Sequence, residues 1–191
     1  KRGVKLLQYH GLLDGSIPPA MSTQYFDRVQ ARMSDTQDYY RLFLAPGVLH
    51  CGFGPGPNAF GNLGPRGPAD AEHDTLLALE RWVEKGVAPD HIIATKYTDD
   101  DPRKPVLRTR PLCPYPQAAR WDGKGDINRS ESFECASIAM PGGAAKPTSA
   151  ASNARPTSGR TPSSDSTSSS AAIPASRSAP PSEVRVLSVA T

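Results

Sequence analysis

The sequence lacks any long apolar run. No stretch approaches the roughly 20 apolar residues that a membrane-spanning helix needs. The first residues, KRGVKLLQYHG, show neither the apolar stretch nor the small-residue cleavage site of a signal peptide. These absences predict a chain with no membrane span, no membrane partner and no targeting signal of its own.

Aromatic residues are absent from residues 140–191. These 52 residues contain 13 Ser, 10 Ala and 7 Pro, a composition that cannot bury enough apolar surface to offset the entropy of ordering the chain. We therefore predict one folded domain over residues 1–139, followed by a disordered Ser/Pro/Ala-rich tail over residues 140–191.

Clustered positive charge is also missing. The tail has five basic and two acidic residues, which account for the whole net charge of +3 and leave residues 1–139 neutral. A nucleic-acid surface needs clustered Lys and Arg with aromatic or motif support, whereas the basic residues of the tail are scattered singly. The sequence therefore predicts no nucleic-acid partner, although its pI is about 8.8.

Cysteine is scarce, and its count of three is odd. Cys113 and Cys135 are spaced to close a loop of about 20 residues, which a disulfide would stabilise by roughly 3 kcal/mol. Cys51 is left without an obvious partner. No histidine lies near Cys113 or Cys135 at zinc-site spacing, so we predict no metal site in this chain.

Short apolar runs alternate with amphipathic segments along the first half of the chain. We predict a buried strand over residues 4–9, a helix capped by Ser22, a second strand over residues 39–46, and a helix that begins at Asp70 and ends at Gly86. The order β-α-β-α favours an α/β fold with a parallel sheet.

Two further predictions concern the remaining sequence up to Cys135. The second helix should carry Leu76, Leu79 and Val83 on its inward face, and residues 90–97 should form an edge strand. We expect the segment from there to Cys135 to be irregular and held by the Cys113–Cys135 disulfide.

One acid and one base follow the two predicted strands. Asp14 lies just after the first strand and His50 just after the second, which matches the last two members of a Ser…Asp…His triad in α/β-hydrolase order. The acid of a triad orients the imidazole so that its other nitrogen can take the serine proton. Alternatively, Asp14 only forms a turn and His50 is only a hydrogen-bonded polar residue.

The other histidines and one asparagine give weaker indications of function. We expect His10 to make a structural hydrogen bond, and we assign no role to His73 or His91. Asn128 begins an Asn-Arg-Ser triplet, which is a possible glycosylation acceptor in a secreted protein.

Four blocks of the chain, between Val4 and Cys135, resemble the carboxyl-terminal part of the tannase and feruloyl esterase family. They are YHGLLDGSIPP, YRLFLAPGVLHCGFGPGPNAF, ALERWVEKGVAPDHIIATKY and RTRPLCPYPQAARWDGKGD. The resemblance implies a secreted or periplasmic serine esterase that acts on gallate, ferulate or related aromatic esters. It also implies the carboxyl-terminal portion of an α/β-hydrolase fold, with Asp14 as the acid and His50 as the base.

The same resemblance implies three features whose partners would lie upstream of this chain. Cys51 would form a disulfide with a cysteine just before the catalytic serine, and a lid domain would supply most of the substrate pocket. The lid would also hold a structural calcium ion, so we predict no cofactor within this chain.

The chain departs from the family pattern in one respect: it lacks the nucleophile. No serine or cysteine precedes Asp14, and neither a Gly-x-Ser-x-Gly motif nor a Cys-Ser dipeptide occurs anywhere. We therefore expect this chain to be a carboxyl-terminal fragment that is inactive as an esterase by itself.

Two rival interpretations belong to other classes. In the first, the chain is a non-enzymatic secreted scaffold or interaction module whose Ser/Pro-rich tail is a stalk. In the second, Cys51 and His50 form a thiol enzyme. The second is weak, because adjacent residues of an extended backbone point to opposite sides.

Overall fold

The computed structural model describes residues 3–137 and the backbone of residues 189–190. The predicted disorder of residues 140–191 therefore lies outside the described residues, except for the pair Val189–Ala190. The described elements, which belong to one compact unit, are β1 (Leu6–Gly11), α1 (Pro19–Arg32), β2 (Tyr40–Ala45), α2 (Thr75–Lys85), β3 (Ile92–Tyr97), β4 (Val106–Leu112), β5 (Gln117–Trp121), β6 (Phe133–Ser137) and β7 (Val189–Ala190), with single 3-10 turns at Thr36–Asp38, Thr98–Asp100 and Ser130–Ser132.

The central sheet has the strand order β2-β1-β7. β1 and β2 pair in parallel, from Leu6 opposite Tyr40 to Gly11 opposite Ala45, which confirms the predicted parallel arrangement. β7 adds a short parallel strand on the other edge of β1. Because β1 and β2 run in the same direction and in register, the loops that follow them leave the same end of the sheet.

The first helix does not begin where the sequence predicted. Pro18 is its N-cap and Pro19 its first residue, and the fixed φ of proline suits a first helical turn, where its missing N–H has no partner to lose. Ser22 is not a cap. It is buried within the helix and its hydroxyl lies against His10.

The second helix also begins later than predicted. Asp74, not Asp70, is the N-cap, and its carboxylate accepts the backbone N–H groups of Leu76 and Leu77. Asp70 forms a separate turn just ahead of the helix, where it accepts two backbone N–H groups. Gly86 ends the helix in the left-handed conformation (φ 70°), as predicted.

The inward face of α2 differs in part from the prediction. Leu79 is buried and Val83 is partly buried against the core, but Leu76 is 44% exposed. Ala78 and Trp82 are buried instead, so the inward face is formed by Ala78, Leu79 and Trp82. The resulting core lies between α2, the β1–β2 pair and β3 and contains Leu7, Tyr9, Phe43, Ala45, Val48, Phe60, Ala78, Leu79, Trp82, Ile92, Ala94 and Leu112.

The expectation of irregular structure up to Cys135 is wrong. β3 forms as predicted but pairs antiparallel with β4 in a separate sheet, and β5 and β6 form a second antiparallel pair. The Cys113–Cys135 disulfide is present, with the two Cα atoms 5.5 Å apart. It joins the end of β4 to β6, so it connects two ordered pairs of strands.

Candidate active site

The loop after β1 holds the carboxylate of Asp14 in a fixed orientation. Oδ1 accepts the backbone N–H groups of Ser16 (2.8 Å) and Ile17 (3.0 Å). The side chain is completely buried. Asp14 is therefore a turn former, and the same turn leaves Oδ2 free to serve another residue.

That other residue is His50, in the loop after β2. Its Nδ1 lies 2.8 Å from Asp14 Oδ2. A carboxylate only accepts hydrogen bonds, so Nδ1 carries the proton and Nε2 keeps its lone pair. The imidazole is 43% exposed, and Nε2 makes no hydrogen bond with any described residue. The arrangement presents an oriented, accessible base.

The hydrogen bonds to Asp14 stabilise its ionised form. Burial alone would raise the pKa of this carboxyl, but the N–H groups of Ile17, His50 and Ser16 together lower it to about 2. Asp14 is thus an anion at neutral pH, which is the charge state that stabilises an imidazolium.

Close backbone contacts fix the loop of residues 46–68 that carries His50. Gly47 and Gly56 approach so closely that a Cβ added to Gly56 would lie 2.1 Å from the carbonyl oxygen of Pro46. The Gly56 N–H also donates to the Gly47 carbonyl (2.9 Å). Tyr9 donates its hydroxyl to the Cys51 carbonyl (3.1 Å), which ties the loop to β1.

The sequence did not predict a polar cluster, formed by Lys96, Asn58 and Asp100, that hydrogen-bonds to this loop. Lys96 donates to the Gly54 carbonyl (2.6 Å) and to Asp100 Oδ1 (2.5 Å), and the buried Asn58 donates to the same two groups. The one signal in the sequence was a lysine inside a mostly buried strand, β3, where a charge largely removed from water requires a partner.

Cys51 directly follows His50 and is a free, half-buried thiol in the described part of the chain. Its backbone is left-handed (φ 62°), so the extended backbone assumed in the argument against a thiol enzyme is wrong. That interpretation nevertheless gains no support, because no hydrogen bond joins Cys51 Sγ to His50 among the described residues. The disulfide from Cys51 to an upstream cysteine stays a prediction.

Of the remaining histidines, two lie at the surface and one is buried. His73 contacts Asp70 (2.8 Å) and His91 contacts Asp90 (3.0 Å), both at the surface. His10 is completely buried and hydrogen-bonded, as expected.

Asn128 is exposed and outside any strand, and its glycosylation stays a prediction. Within residues 3–137, no group of three or more His, Cys, Asp or Glu side chains is placed to hold a metal ion. Of the described helices, neither has the length and apolar character to cross a membrane.

The chain matches the family model described as "Tannase and feruloyl esterase" over residues 1–136. It therefore belongs to the tannase and feruloyl esterase family. The match includes both Asp14 and His50, and also both cysteines of the disulfide.

Individual relatives carry consistent names. The chain is 47% identical over 139 residues to a probable feruloyl esterase of Arthroderma benhamiae, covering 71% of this chain and 23% of that protein. It is 41% identical over 136 residues to mono(2-hydroxyethyl) terephthalate hydrolase of Piscinibacter sakaiensis, covering 71% and 20%.

A solved structure shows the same fold. The crystal structure of feruloyl esterase B from Aspergillus oryzae superposes with a TM-score of 0.63 at 33% identity, covering 69% of this chain and 27% of that one. The chain thus spans about a quarter of the length of the relatives it matches.

Proposed function

We propose that this chain contributes the acid and the base of a carboxylic ester hydrolase, and that its folded part is the carboxyl-terminal portion of an α/β-hydrolase domain. The observation that carries the proposal is the 2.8 Å contact between Asp14 Oδ2 and His50 Nδ1. It lies at the ends of two parallel strands, where ligand chemistry occurs in such sheets. Membership of a family with named esterases supports the same reaction.

The proposed mechanism uses a serine hydroxyl as nucleophile. His50 Nε2 takes the serine proton as the oxygen attacks the ester carbonyl, and then delivers that proton to the leaving alcohol. Water, activated by the same nitrogen, hydrolyses the acyl-enzyme and releases the acid. Asp14 stays ionised throughout and stabilises the imidazolium that forms twice in each cycle.

No serine precedes Asp14 in this sequence. We propose that it is supplied by a segment outside these 191 residues, in keeping with the quarter of its relatives' length that the chain spans. By itself, the chain should not hydrolyse esters. The partner of Cys51 would come from the same segment.

We further propose an aromatic ester, of the gallate or ferulate type, as the substrate of the complete enzyme. The names of the relatives support this class, since one is a probable feruloyl esterase and another hydrolyses a terephthalate ester. The Cys113–Cys135 disulfide supports a secreted protein, because such bonds persist in oxidising compartments. The family's calcium ion would be held by the lid, and no described residue is assigned to it.

A chimaera tests the roles of the two residues. Residues 1–137 of this chain would replace the matching carboxyl-terminal part of feruloyl esterase B from Aspergillus oryzae, and hydrolysis of methyl ferulate would be measured. We expect activity, with a kcat about 10³- to 10⁴-fold lower for His50→Ala and for Asp14→Asn. A matched control is His91→Ala, which removes an exposed imidazole and should change kcat less than about twofold.

Two results would count against the proposal. One is hydrolysis by the 191-residue chain alone that survives His50→Ala, since the reaction would then use other residues. The other is a folded, active chimaera that tolerates His50→Ala and Asp14→Asn, which would favour the scaffold interpretation for this pair of residues.

A further inference from the structure

Asp14 is contacted by a second imidazole. His10 Nε2 lies 3.4 Å from Asp14 Oδ2, the same oxygen that faces His50. The same nitrogen of His10 lies 3.1 Å from the carbonyl oxygen of Ile17. His10 therefore touches both the carboxylate and the turn whose N–H groups hold its other oxygen, Oδ1.

A chain of hydrogen bonds, partly buried at Gln8 and buried at Ser22 and His10, leads from Tyr40 to His10. The Tyr40 hydroxyl donates to Gln8 Oε1, Gln8 Nε2 donates to Ser22 Oγ (2.9 Å), and Ser22 Oγ lies 2.7 Å from His10 Nδ1. Burial, together with the nearby Tyr25, raises the pKa of Tyr40 to about 12, so its phenol keeps the proton that it donates.

The Ile17 carbonyl fixes the tautomer of His10. A carbonyl oxygen only accepts hydrogen bonds, so its 3.1 Å contact places a proton on His10 Nε2. In the neutral ring Nδ1 is then unprotonated and accepts the hydroxyl of Ser22, whose oxygen also accepts from Gln8. The Nε2–H is donated to Ile17, and Asp14 Oδ2 lies 3.4 Å from the same nitrogen.

We propose that His10 is a positioning residue for the Asp14–His50 pair: a neutral imidazole, held by Ser22 in the Nε2–H tautomer, whose N–H dipole fixes the Asp14 carboxylate. This inference rests on the proposed function, in which Asp14 orients His50. It assigns a role to His10, Ser22, Gln8 and Tyr40, which the proposed mechanism does not use.

A neutral donor is what this position requires. A positively charged His10 would form an ion pair with Asp14 and compete with the imidazolium that forms on His50. The N–H dipole of a neutral ring favours the anion and its orientation without supplying a competing charge. Because Ser22 is on α1 and His10 on β1, packing of the helix on the sheet is coupled to the orientation of the carboxylate.

The first test uses the unmodified 191-residue chain. With ¹⁵N-labelled histidine, long-range ¹H–¹⁵N correlation spectra at pH 7 should show His10 as the pure Nε2–H tautomer and a downfield, slowly exchanging Nδ1–H proton on His50. Assignment uses His73→Gln and His91→Gln. If His10 is charged or carries its proton on Nδ1, the proposal is overturned without any need for a variant in the buried chain.

Variants of His10 and Ser22 test the coupling. His10→Gln keeps a donor near the Nε2 position, whereas His10→Met has a similar volume and no donor. We expect His10→Met and Ser22→Ala to raise the titration midpoint of the Asp14 carboxyl and to speed exchange of the His50 Nδ1–H at least about twofold, the effect of losing one neutral hydrogen bond. His10→Gln and Ser22→Thr should restore both quantities toward the original values.

Ser130→Ala is the matched control, since it removes another buried serine hydroxyl, in the turn before β6. It should lower stability without changing the His50 signal. If His10→Met and Ser22→Ala fold and behave like Ser130→Ala, the role of His10 is only structural and the proposal is wrong. If the unmodified chain shows no hydrogen-bonded His50 Nδ1–H, the Asp14–His50 pair itself is absent and the proposed function fails first.

Discussion

Asp14 and His50 are separated by 36 residues in sequence, and their side chains meet at 2.8 Å between Oδ2 and Nδ1. The pairing of Gly11 with Ala45 at the ends of β1 and β2 sets this contact, because it brings both following loops to the same edge of the sheet. A shift of one residue in register would turn every side chain of one strand to the opposite face. The geometry of the pair is therefore a consequence of strand register.

The first prediction concerns acid. Hydrogen bonds hold the pKa of Asp14 at about 2 in the folded chain, below its ordinary value of 3.8. Asp14 therefore stabilises the fold fully above about pH 4, and this contribution should be lost as the pH falls from about 4 toward 2. Urea unfolding at a series of pH values measures it.

The Asp14→Asn variant isolates this contribution from those of other carboxyls. Its free energy of unfolding should be lower than that of the original chain at pH 6, and the difference between the two should shrink as the pH falls toward 2. A constant difference across this range would show that the carboxylate of Asp14 is not the titrating group.

The second prediction concerns the contact between the two loops. A Cβ added to Gly11 would lie 2.4 Å from the carbonyl oxygens of both Val48 and Leu49, just ahead of His50. Gly11→Ala should therefore push the loops apart, lower the free energy of unfolding by about 1–3 kcal/mol and weaken the His50 Nδ1–H signal.

Gly15→Ala is its matched control. A Cβ at this position meets no atom within 4 Å, although Gly15 adjoins Asp14. We expect a change in stability of less than about 1 kcal/mol and an unaltered His50 signal. Equal effects of the two substitutions would mean that the close approach at Gly11 does not position the pair.

The sheet that supports the pair could be predicted from sequence, and the physical reason is burial on both faces. β1 and β2 are short apolar runs, and such runs suit the centre of a parallel sheet. Asp14 and His50 could be singled out because polar residues directly after such strands lie at one edge. Gly86 could be identified as a helix end, since a left-handed residue there favours glycine.

The first residues of the two helices, and the hydrogen bonds that support the residues around Asp14, could not be predicted in this way. Asp70 and Asp74 have equal capping chemistry, and each accepts two backbone N–H groups, so local sequence does not distinguish the residue that begins the helix. Ser22 looked like a cap because serine favours that position, but its hydroxyl serves His10, a partner that only the packing of α1 on β1 provides. β4 to β6 lack strong alternation, and long-range pairing creates them.

The third prediction concerns the disulfide. Cys113 and Cys135 close a loop with a sequence separation of 22, which corresponds to about 3 kcal/mol of stabilisation through the unfolded chain. Reduction, or Cys135→Ser, should lower the free energy of unfolding by this amount in urea titrations. Cys51→Ser is the control, because its thiol is free in this chain. A Cys51→Ser variant that no longer responded to reductant would show that Cys51 takes part in the bond.

The fourth prediction concerns Lys96, which donates a hydrogen bond to the loop that carries His50. Lys96→Met removes the hydrogen bonds to the Gly54 carbonyl and to Asp100, and it leaves Asp100 with Asn58 as its remaining side-chain partner. Because Lys96 is only 13% exposed, water cannot fully replace these bonds. We expect a loss of about 2 kcal/mol in the free energy of unfolding, together with faster exchange of the His50 Nδ1–H.

Lys104→Met separates this effect from the loss of a lysine charge in general. Lys104 pairs with Asp99 at 2.7 Å, but the two side chains are 44% and 71% exposed, and such surface pairs contribute less than about 1 kcal/mol. The control should therefore change stability little and leave the His50 signal intact. If the two lysine variants were equally stable and had identical His50 signals, the contacts of Lys96 with Gly54 would not support the site, and close packing of the loop glycines would be sufficient to hold His50.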